Sequence, residues 1–219
     1  MGEATNLLIN YPLSKRNVFE RADSKTDADR AIARQFGQEF FDGDRKNGYG
    51  GFTYNPRFWK PVIPTFRKHW NLSPGMSVLD VGCAKGFMLH DLKEDIPGLE
   101  IAGIDVSEYA ISHCLESVKP YAKVGDAKNI PFSDNSFDVV ISINSIHNLP
   151  LEECKQSLRE IERVSKGKSF ITVDAYNNED EKERMFAWNL TAKTILSVDD
   201  WIKLFAEVGY TGDYFWFMP

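Results

Sequence analysis

The stretch VLDVGCAKGF, residues 78–87, ends a short apolar run with two glycines. Glycine allows a tight turn and lets a ligand lie against bare backbone, and a helix that begins there offers free N–H groups to an anion. Gly82 and Gly86 therefore predict a site for a ligand that carries a negatively charged group. No Lys-Ser or Lys-Thr pair follows them, which excludes a phosphate-binding P-loop.

A dinucleotide-binding turn also matches poorly. The pattern G-x-G-x-x-G needs glycines at positions 82, 84 and 87, whereas the chain has Gly82, Ala84 and Phe87. Phe87 would obstruct the close helix packing that the third glycine permits. The pattern present is D-x-G-x-A-x-G, from Asp80 to Gly86.

Further acids stand where the next predicted strands end. Asp105 lies about twenty residues beyond the glycine turn, where a carboxylate can accept hydrogen bonds from both ribose hydroxyls. Asp126 ends the strand after that and could reach an adenine amino group. Any one of Asp80, Asp105 and Asp126 could be a helix cap or a turn residue. Together, at adjacent strand ends, they favour one adenosine-containing ligand.

The elements that would position these residues alternate between strand and helix from about residue 76 onward. Runs rich in Val and Ile predict buried strands: SVLDVG, LEIAGID, AKVGD, FDVVISI and KSFITVDA. Helical spacing of apolar residues separates them, as in Cys154, Leu158, Ile161 and Val164. This rhythm predicts an α/β fold, a Rossmann-like open, mostly parallel sheet with helices on both faces. A last helix from Ser197 to Gly209 precedes a final strand, DYFWFM.

The first seventy residues have a different composition: charged and helix-prone, then rich in glycine, proline and aromatic residues. We interpret residues 1–70 as an N-terminal helical and loop cap, not an independent domain, over the carboxyl edge of a 71–219 Rossmann-like domain. Its polar and aromatic residues could grip a substrate: Arg45, Tyr49, Tyr54, Arg57 and Trp59. Each of them singly could equally be packing or solvated surface.

Charge and cysteine content narrow the class of protein. The net charge of −6 argues against nucleic acid as a partner, because a basic surface is absent overall. No run approaches the roughly 18 apolar residues that span a bilayer, so no membrane association is expected. Three scattered cysteines without C-x-x-C spacing fit a reducing compartment, and we expect a cytoplasmic protein with no metal site.

The chain resembles the class I S-adenosylmethionine-dependent methyltransferases, in particular the small-molecule branch called methyltransferase type 11. The resemblance covers about residues 76–217 and rests on VLDVGCAKG, GIDVS, GDAKNIPFSDNSFDVVIS and LREIERV, the third being the most specific. It implies S-adenosyl-L-methionine as cofactor and methyl transfer to a small molecule. The residues that it implies for cofactor binding are Asp80, Gly82, Cys83, Gly86, Asp105, Val106, Asp126, Ala127 and Asn144.

Two departures from the family pattern stand out. Ala84 replaces a usual glycine, which costs little at negative φ and more at positive φ. The family also usually ends in an antiparallel hairpin, whereas only one strand is evident after the last helix, and we predict that this strand is antiparallel.

The acceptor side is less determined. His147 follows the predicted strand FDVVISI and could be a general base, although it could also be a histidine that is hydrogen-bonded within a loop. Asp174 lies at the end of the strand KSFITVDA and Tyr176 directly follows it, and both could bind acceptor hydroxyls. If Arg45 and Arg57 bind the acceptor, an anionic or sugar-containing metabolite is expected. Trp188 and Trp201 are assigned to packing.

Three alternatives remain open from the sequence. A non-catalytic module that binds S-adenosylmethionine would keep every feature except a working acceptor pocket. An NAD(P)-dependent reductase would share Asp105 but lacks its third glycine. A protein or RNA methyltransferase is disfavoured by the acidic pI of about 5.3. The sequence does not predict the oligomeric state.

Overall fold

The computed structural model describes residues 2–12 and 25–218; residues 1, 13–24 and 219 lie outside the described part, and the first two of these ranges belong to the predicted cap. The described helices are α1 (Asp27–Ala33), α2 (Gln38–Phe41), α3 (Pro56–Trp59), α4 (Ile63–Trp70), α5 (Phe87–Asp95), α6 (Glu108–Ser112), α7 (Leu151–Val164), α8 (Glu179–Trp188) and α9 (Val198–Val208). Short 3₁₀ turns cover Lys119–Tyr121 and Ile146–Asn148. The described strands are β1 (Ser77–Val81), β2 (Glu100–Asp105), β3 (Ala122–Val124), β4 (Val139–Ile143), β5 (Ser169–Tyr176), β6 (Leu196–Ser197) and β7 (Asp213–Phe217).

The strands form one parallel sheet in the order β3-β2-β1-β4-β5-β7, and the two-residue β6 pairs with the end of β5. The order reverses between β1 and β4, so the loops after these strands diverge and leave a crevice at their carboxyl ends. This confirms the predicted Rossmann-like α/β class. It also brings the residues after β1, β2, β4 and β5 to one edge of the sheet.

Helices cover both faces of the sheet, as predicted. One core packs α7 and α9 against inward residues of β4 and β5, with Trp201 and Phe205 fully buried at its centre. The other packs α4 and α5 on the opposite face, where Phe66 of α4 meets Phe170 of β5 at a centroid distance of 6.4 Å. Strand residues alternate between the two cores, which explains why the strand sequences are apolar throughout.

The prediction of an antiparallel last strand is wrong. β7 runs parallel to β5, with Phe170 opposite Asp213 and Asp174 opposite Phe217. The reason is the connection between the strands. The N-cap of α9, Ser197, lies beside the carboxyl end of β5, and α9 carries the chain back to the amino end of β5 before β7 begins. A strand that re-enters the sheet after a helix crossover runs in the same direction.

The N-terminal residues attach to the far side of β7. The Thr5 N–H donates to the Tyr214 carbonyl at 2.9 Å, and the Tyr214 N–H donates to the Glu3 carbonyl at 3.2 Å. Ala4 thus forms a parallel bridge with Tyr214. Residues 3–5 therefore cover part of the edge that β7 would otherwise present.

The ends of α9 match the sequence signals for it. The Ser197 hydroxyl accepts a hydrogen bond from the Asp200 N–H at 3.1 Å, and Gly209 closes the helix in the left-handed region at φ 73°. None of the helices in residues 2–12 and 25–218 is both long and apolar enough to cross a bilayer.

All three cysteines are buried and free of disulfides. Burial raises the pKa of the Cys114 thiol to about 11 and that of Cys154 to about 12. Burial raises the pKa of Cys83 as well.

Candidate active site

A cleft of about 650 Å³ opens at the carboxyl edge of the sheet. Residues at or just after the ends of β1, β2, β3 and β4 line one side of it, which we call the cofactor half: Gly82, Ala84, Asp105, Val106, Asp126, Ala127 and Asn144. Residues after β4, β5 and β7, with part of the N-terminal segment, line the other side, which we call the acceptor half: His147, Leu149, Asp174, Trp188, Leu190, Phe217, Tyr11 and Phe58.

The glycine turn is held tightly against its neighbours. The N–H groups of Gly82 and Cys83 both donate to the Ile104 carbonyl, at 2.8 and 3.0 Å. Gly82 has φ +89°, and a Cβ added there would collide with the Ser145 side chain. Gly86 precedes α5 at φ +76°, and a Cβ added there would lie 2.6 Å from Val118. Both positions therefore require glycine.

Ala84 occupies the left-handed region at φ 49°. This is the costlier of the two conformations expected for Ala84, because an alanine Cβ is disfavoured in the left-handed region. Its N–H donates to Asp105 Oδ2 at 2.8 Å, so the strained turn is fixed to the end of β2.

Asp105 joins two loops. Its Oδ1 accepts from the Ser107 N–H at 2.8 Å, while Oδ2 accepts from Ala84. Burial raises the pKa of this carboxyl, and the two backbone hydrogen bonds oppose that shift. Each oxygen keeps a further lone pair, which suits the predicted contact with ribose hydroxyls.

Asp80 is buried at the end of β1 with 4% of its surface exposed. Burial, and then the negative charge of Asp105, raise its pKa to about 8. Among the described residues, no hydrogen-bond donor or cation meets its carboxylate. A buried acid of this kind needs a positive or donating ligand nearby to remain ionised.

The predicted adenine contacts are partly exposed. Val106 is 58% exposed and lines the cleft. Asp126 Oδ1 accepts from the Lys128 N–H at 2.9 Å, and the Lys128 ammonium lies 3.4 Å from Asp126 Oδ2. Ala127 lines the cleft beside it.

Asn144 follows β4 at φ 50° and is locked to β5. Its N–H donates to the Thr172 carbonyl, and its Oδ1 accepts from the Thr172 hydroxyl at 2.7 Å. These hydrogen bonds fix the start of the loop after β4, and the following residues, Ser145 to His147, line the cleft.

His147 and Asp174 meet in the acceptor half, although they lie 27 residues apart in the chain. His147 Nδ1 accepts from the backbone N–H of Asp174 at 3.1 Å, and His147 Nε2 lies 3.8 Å from Asp174 Oδ1. Both side chains are buried, with 4% and 9% of their surface exposed. Burial lowers the pKa of the imidazole and raises that of the carboxyl, and in each case the partner charge opposes the shift.

Other predicted site residues do not line the cleft. The Tyr54 hydroxyl donates to Asp91 Oδ1 at 2.6 Å on α5, Arg57 lies 4.6 Å over the Phe58 ring, and Tyr176 lies beneath the Lys182 ammonium. Asp80, Cys83 and Gly86 lie behind the cleft wall, and the Cys83 side chain belongs to the core. Arg45 and Tyr49 do line it, but Arg45 donates to the Gly48 carbonyl at 2.9 Å within its own loop.

Some residues of the cleft have no strong signal in the sequence. Trp188, assigned to packing, lines the acceptor half with Phe217 at a ring distance of 5.9 Å, whereas Trp201 is fully buried as assigned. Tyr11 and Phe58, 5.5 Å apart, line it from the N-terminal segment. Nothing in their local patterns points to a site.

A polar network links residues 36–52 to the cofactor half. The Lys85 ammonium, inside the glycine turn, donates to Asp42 Oδ2 at 2.6 Å and to the Phe52 carbonyl at 2.9 Å. The Tyr109 hydroxyl donates to the same Asp42 oxygen at 2.7 Å. Phe52 stacks on Phe87 at 4.8 Å. The predicted cap is therefore attached to the turn that it covers.

Comparisons with known proteins agree with this architecture. The methyltransferase domain family matches residues 72–209. The chain is 32% identical to sterol 24-C-methyltransferase of Gibberella zeae over 52% of this chain and 32% of that protein. It is 34% identical to 2-methyl-6-phytyl-1,4-hydroquinone methyltransferase of a Synechocystis species over 51% of this chain and 36% of that protein. The chain thus spans about a third of the length of these curated relatives.

Among solved structures, a phosphoethanolamine N-methyltransferase of Haemonchus contortus has a TM-score of 0.58 at 19% identity, covering 81% of this chain and 44% of that one. That structure contains S-adenosylhomocysteine and phosphomonomethylethanolamine. At this identity the likeness concerns the fold. With the family match, it shows that the chain belongs to the class I S-adenosylmethionine-dependent methyltransferases.

Proposed function

We propose that this chain transfers a methyl group from S-adenosylmethionine to a small-molecule acceptor. The observation that carries the proposal is Asp80, a buried carboxylate with no cation among the described residues, behind a turn that is bare at Gly82. When bound, S-adenosylmethionine supplies a transferable methyl group together with sulfonium and ammonium charges that suit such a carboxylate. The cofactor half therefore fits the ligand by charge as well as by space.

The residues predicted for cofactor binding keep their roles in this proposal, although Asp80, Cys83 and Gly86 do not line the cleft. The backbone at Gly82, Cys83 and Gly86 faces the methionine portion, with Asp80 supporting the turn. Asp105 holds the ribose, Val106 packs on the adenine, and Asp126 with Ala127 faces its amino edge. Asn144, held in place by the hydrogen bond from the Thr172 hydroxyl, lies beside the sulfonium.

In the acceptor half, the chain positions the nucleophile at near-attack distance and excludes water. The sequence predicts His147 as the base and Asp174 as a residue that binds an acceptor hydroxyl, and the two lie together in this half of the cleft. The preference for an anionic or sugar-containing acceptor has weaker support, because Arg45 is engaged by its own loop and Arg57 lies outside the lining. We place the protein in the cytoplasm, which its three free thiols support.

Titration calorimetry tests the proposal. The chain is titrated separately with S-adenosylmethionine, S-adenosylhomocysteine and NADPH, and we expect micromolar binding of the first two and no heat from the third. Silence with both adenosyl ligands would refute the proposal. Binding of NADPH alone would favour the reductase, against which Phe87 now weighs further, since it stacks on Phe52 where a third glycine would be needed.

The second candidate is a module that binds S-adenosylmethionine without turnover. It is separated from the enzyme by incubating the chain with methyl-labelled donor and a panel of phenols, amines and carboxylates. Label in any acceptor supports catalysis. Tight donor binding without label in any member would favour the module.

A further inference from the structure

The hydrogen bonding of His147 fixes which of its nitrogens carries the proton. A backbone N–H can only donate, so the bond from the Asp174 N–H uses the lone pair of His147 Nδ1. The neutral ring therefore carries its hydrogen on Nε2. Burial keeps the ring neutral, because it lowers the pKa of His147. In this state the imidazole presents a hydrogen-bond donor, and neither nitrogen is free to take a proton.

The carboxylate of Asp174 is in the opposite situation. Its backbone is fixed on both sides, because its N–H donates to His147 and its carbonyl accepts from the Trp201 indole N–H at 2.9 Å. Its side chain is 9% exposed yet lines the cleft, and within the described residues no hydrogen bond reaches its oxygens. The 3.8 Å to His147 Nε2 is too long for one. A buried acceptor without a donor indicates that a ligand supplies the donor.

The wall beside this carboxylate is aromatic. Phe217 lies directly opposite Asp174 in the pairing of β7 with β5, and both line the cleft. The Trp188 ring lies 5.9 Å from the Phe217 ring, and Leu149 and Leu190 extend the same apolar wall. Flat apolar surfaces of this kind favour a ring over a charged chain.

Few basic side chains are placed to bind a negatively charged acceptor near Asp174. Arg34 Nε donates to the Thr191 carbonyl at 3.3 Å, and Arg45 donates within its own loop. Lys193 lines the cleft but is solvent-exposed, in a segment whose N–H groups bind the His147 carbonyl. The groups fixed nearest Asp174 are thus a neutral imidazole and aromatic rings.

We propose that the acceptor is an uncharged aromatic compound with a hydroxyl group, and that Asp174, not His147, receives the proton of that hydroxyl. His147 acts as a positioning residue that donates from Nε2. This inference rests on the proposed methyl transfer. In the transfer, the hydroxyl oxygen bonds to the methyl carbon, the carbon–sulfur electron pair stays on the sulfur, and the proton moves to the Asp174 carboxylate.

The test uses a matched pair of probes, 2-naphthol and 2-methoxynaphthalene. In the second, a methyl group replaces the hydroxyl hydrogen, so it cannot donate a hydrogen bond. Each is titrated into the chain saturated with S-adenosylhomocysteine. We expect 2-naphthol to bind roughly tenfold more tightly than its ether, since it alone can donate to a charged acceptor. In Asp174→Asn the preference falls to about twofold or less, whereas Asp180→Asn on the exposed start of α8 keeps it.

The outcomes separate the two proposals. Failure of S-adenosylhomocysteine to bind refutes the methyltransferase function. If S-adenosylhomocysteine binds, three outcomes overturn the present inference alone. They are equal affinity for the two probes, no binding of either probe, and an unchanged preference for 2-naphthol in Asp174→Asn.

A measurement without any acceptor guards against a variant that does not fold. The ¹⁵N shifts of the His147 ring in the unmodified protein report its tautomer. A proton on Nε2 supports the assignment. A proton on Nδ1 of the neutral ring would overturn it, because Nε2 would then be the available base.

Discussion

The two halves of the cleft are built in different ways. The cofactor half uses backbone: Gly82 and Ala84 adopt left-handed conformations, and their geometry is fixed by Ile104 and Asp105. The acceptor half uses side chains from distant segments, namely His147 and Asp174 with the rings of Trp188 and Phe217. A site made of backbone tolerates few substitutions at its glycines. A site made of side chains can change its ligand by single replacements while the sheet remains the same.

The largest effect expected is at Gly82. Gly82→Ala combines a positive φ with a collision against Ser145, and we expect a loss of roughly 2–4 kcal/mol in the free energy of unfolding, with loss of S-adenosylhomocysteine binding. Urea denaturation and calorimetry measure the two quantities. Gly167→Ala is the matched control, since Gly167 has φ +96° but no atom within 4 Å of the added Cβ, and it should cost about 1 kcal/mol. Equal losses in both variants would remove the special role of Gly82.

The next effect separates the two halves directly. Asp105→Ala should weaken S-adenosylhomocysteine binding by about 1–3 kcal/mol, because it removes a charged hydrogen-bond acceptor. Asp174→Asn should leave that affinity within about twofold, since it removes charge only in the acceptor half. Calorimetry of both variants checks this. An unchanged affinity in Asp105→Ala would exclude its contact with the ribose.

A smaller effect is expected at Asp42, with a distinct pH dependence. Burial alone would raise the pKa of Asp42, but hydrogen bonds from Lys85, the Phe52 N–H and Tyr109 lower it to about 2. A carboxyl whose folded pKa is depressed stabilises the fold above its unfolded pKa of 3.8 and loses that contribution as the pH falls toward about 2.

Asp42→Asn should therefore cost about 1 kcal/mol at pH 7, allowing for solvent screening, and its stability should fall less than that of the unmodified chain between about pH 4 and pH 2. Denaturation across this range measures it, with Asp180→Asn as control. If the free energy of unfolding changed with pH in the same way for Asp42→Asn and the unmodified chain, the ion pair with Lys85 would not hold residues 36–52 in place.

The smallest effect is expected at Ala84 in the glycine turn. Ala84→Gly should raise the free energy of unfolding by about 0.5 kcal/mol, because relief of the left-handed alanine exceeds the added entropy of the unfolded glycine. Thermal unfolding resolves such a change. A destabilised variant would mean that the alanine methyl group packs usefully there.

The same comparison explains what the sequence could predict. The cofactor half follows from consecutive residues, so VLDVGCAKG, Asp105 and Asp126 indicate it without knowledge of the tertiary structure. Trp188 and Phe217 become neighbours of Asp174 only through the register of β7 on β5, which no local pattern encodes. The parallel direction of β7 is not encoded locally for a related reason: it depends on the end of the sheet to which α9 returns the chain. Tyr54 and Arg57 are residue types that suit substrate binding, but neither lines the cleft. Tyr54 is bonded to Asp91, and Arg57 lies over the Phe58 ring.

The buried thiols have a practical consequence. Because Cys83, Cys114 and Cys154 are enclosed and their pKa values are raised, almost no thiolate is present at neutral pH to react with maleimides. A single cysteine introduced on the surface of α1 could then carry a fluorophore on an otherwise unmodified background. Its fluorescence would report whether the cap changes position relative to the sheet when a ligand binds.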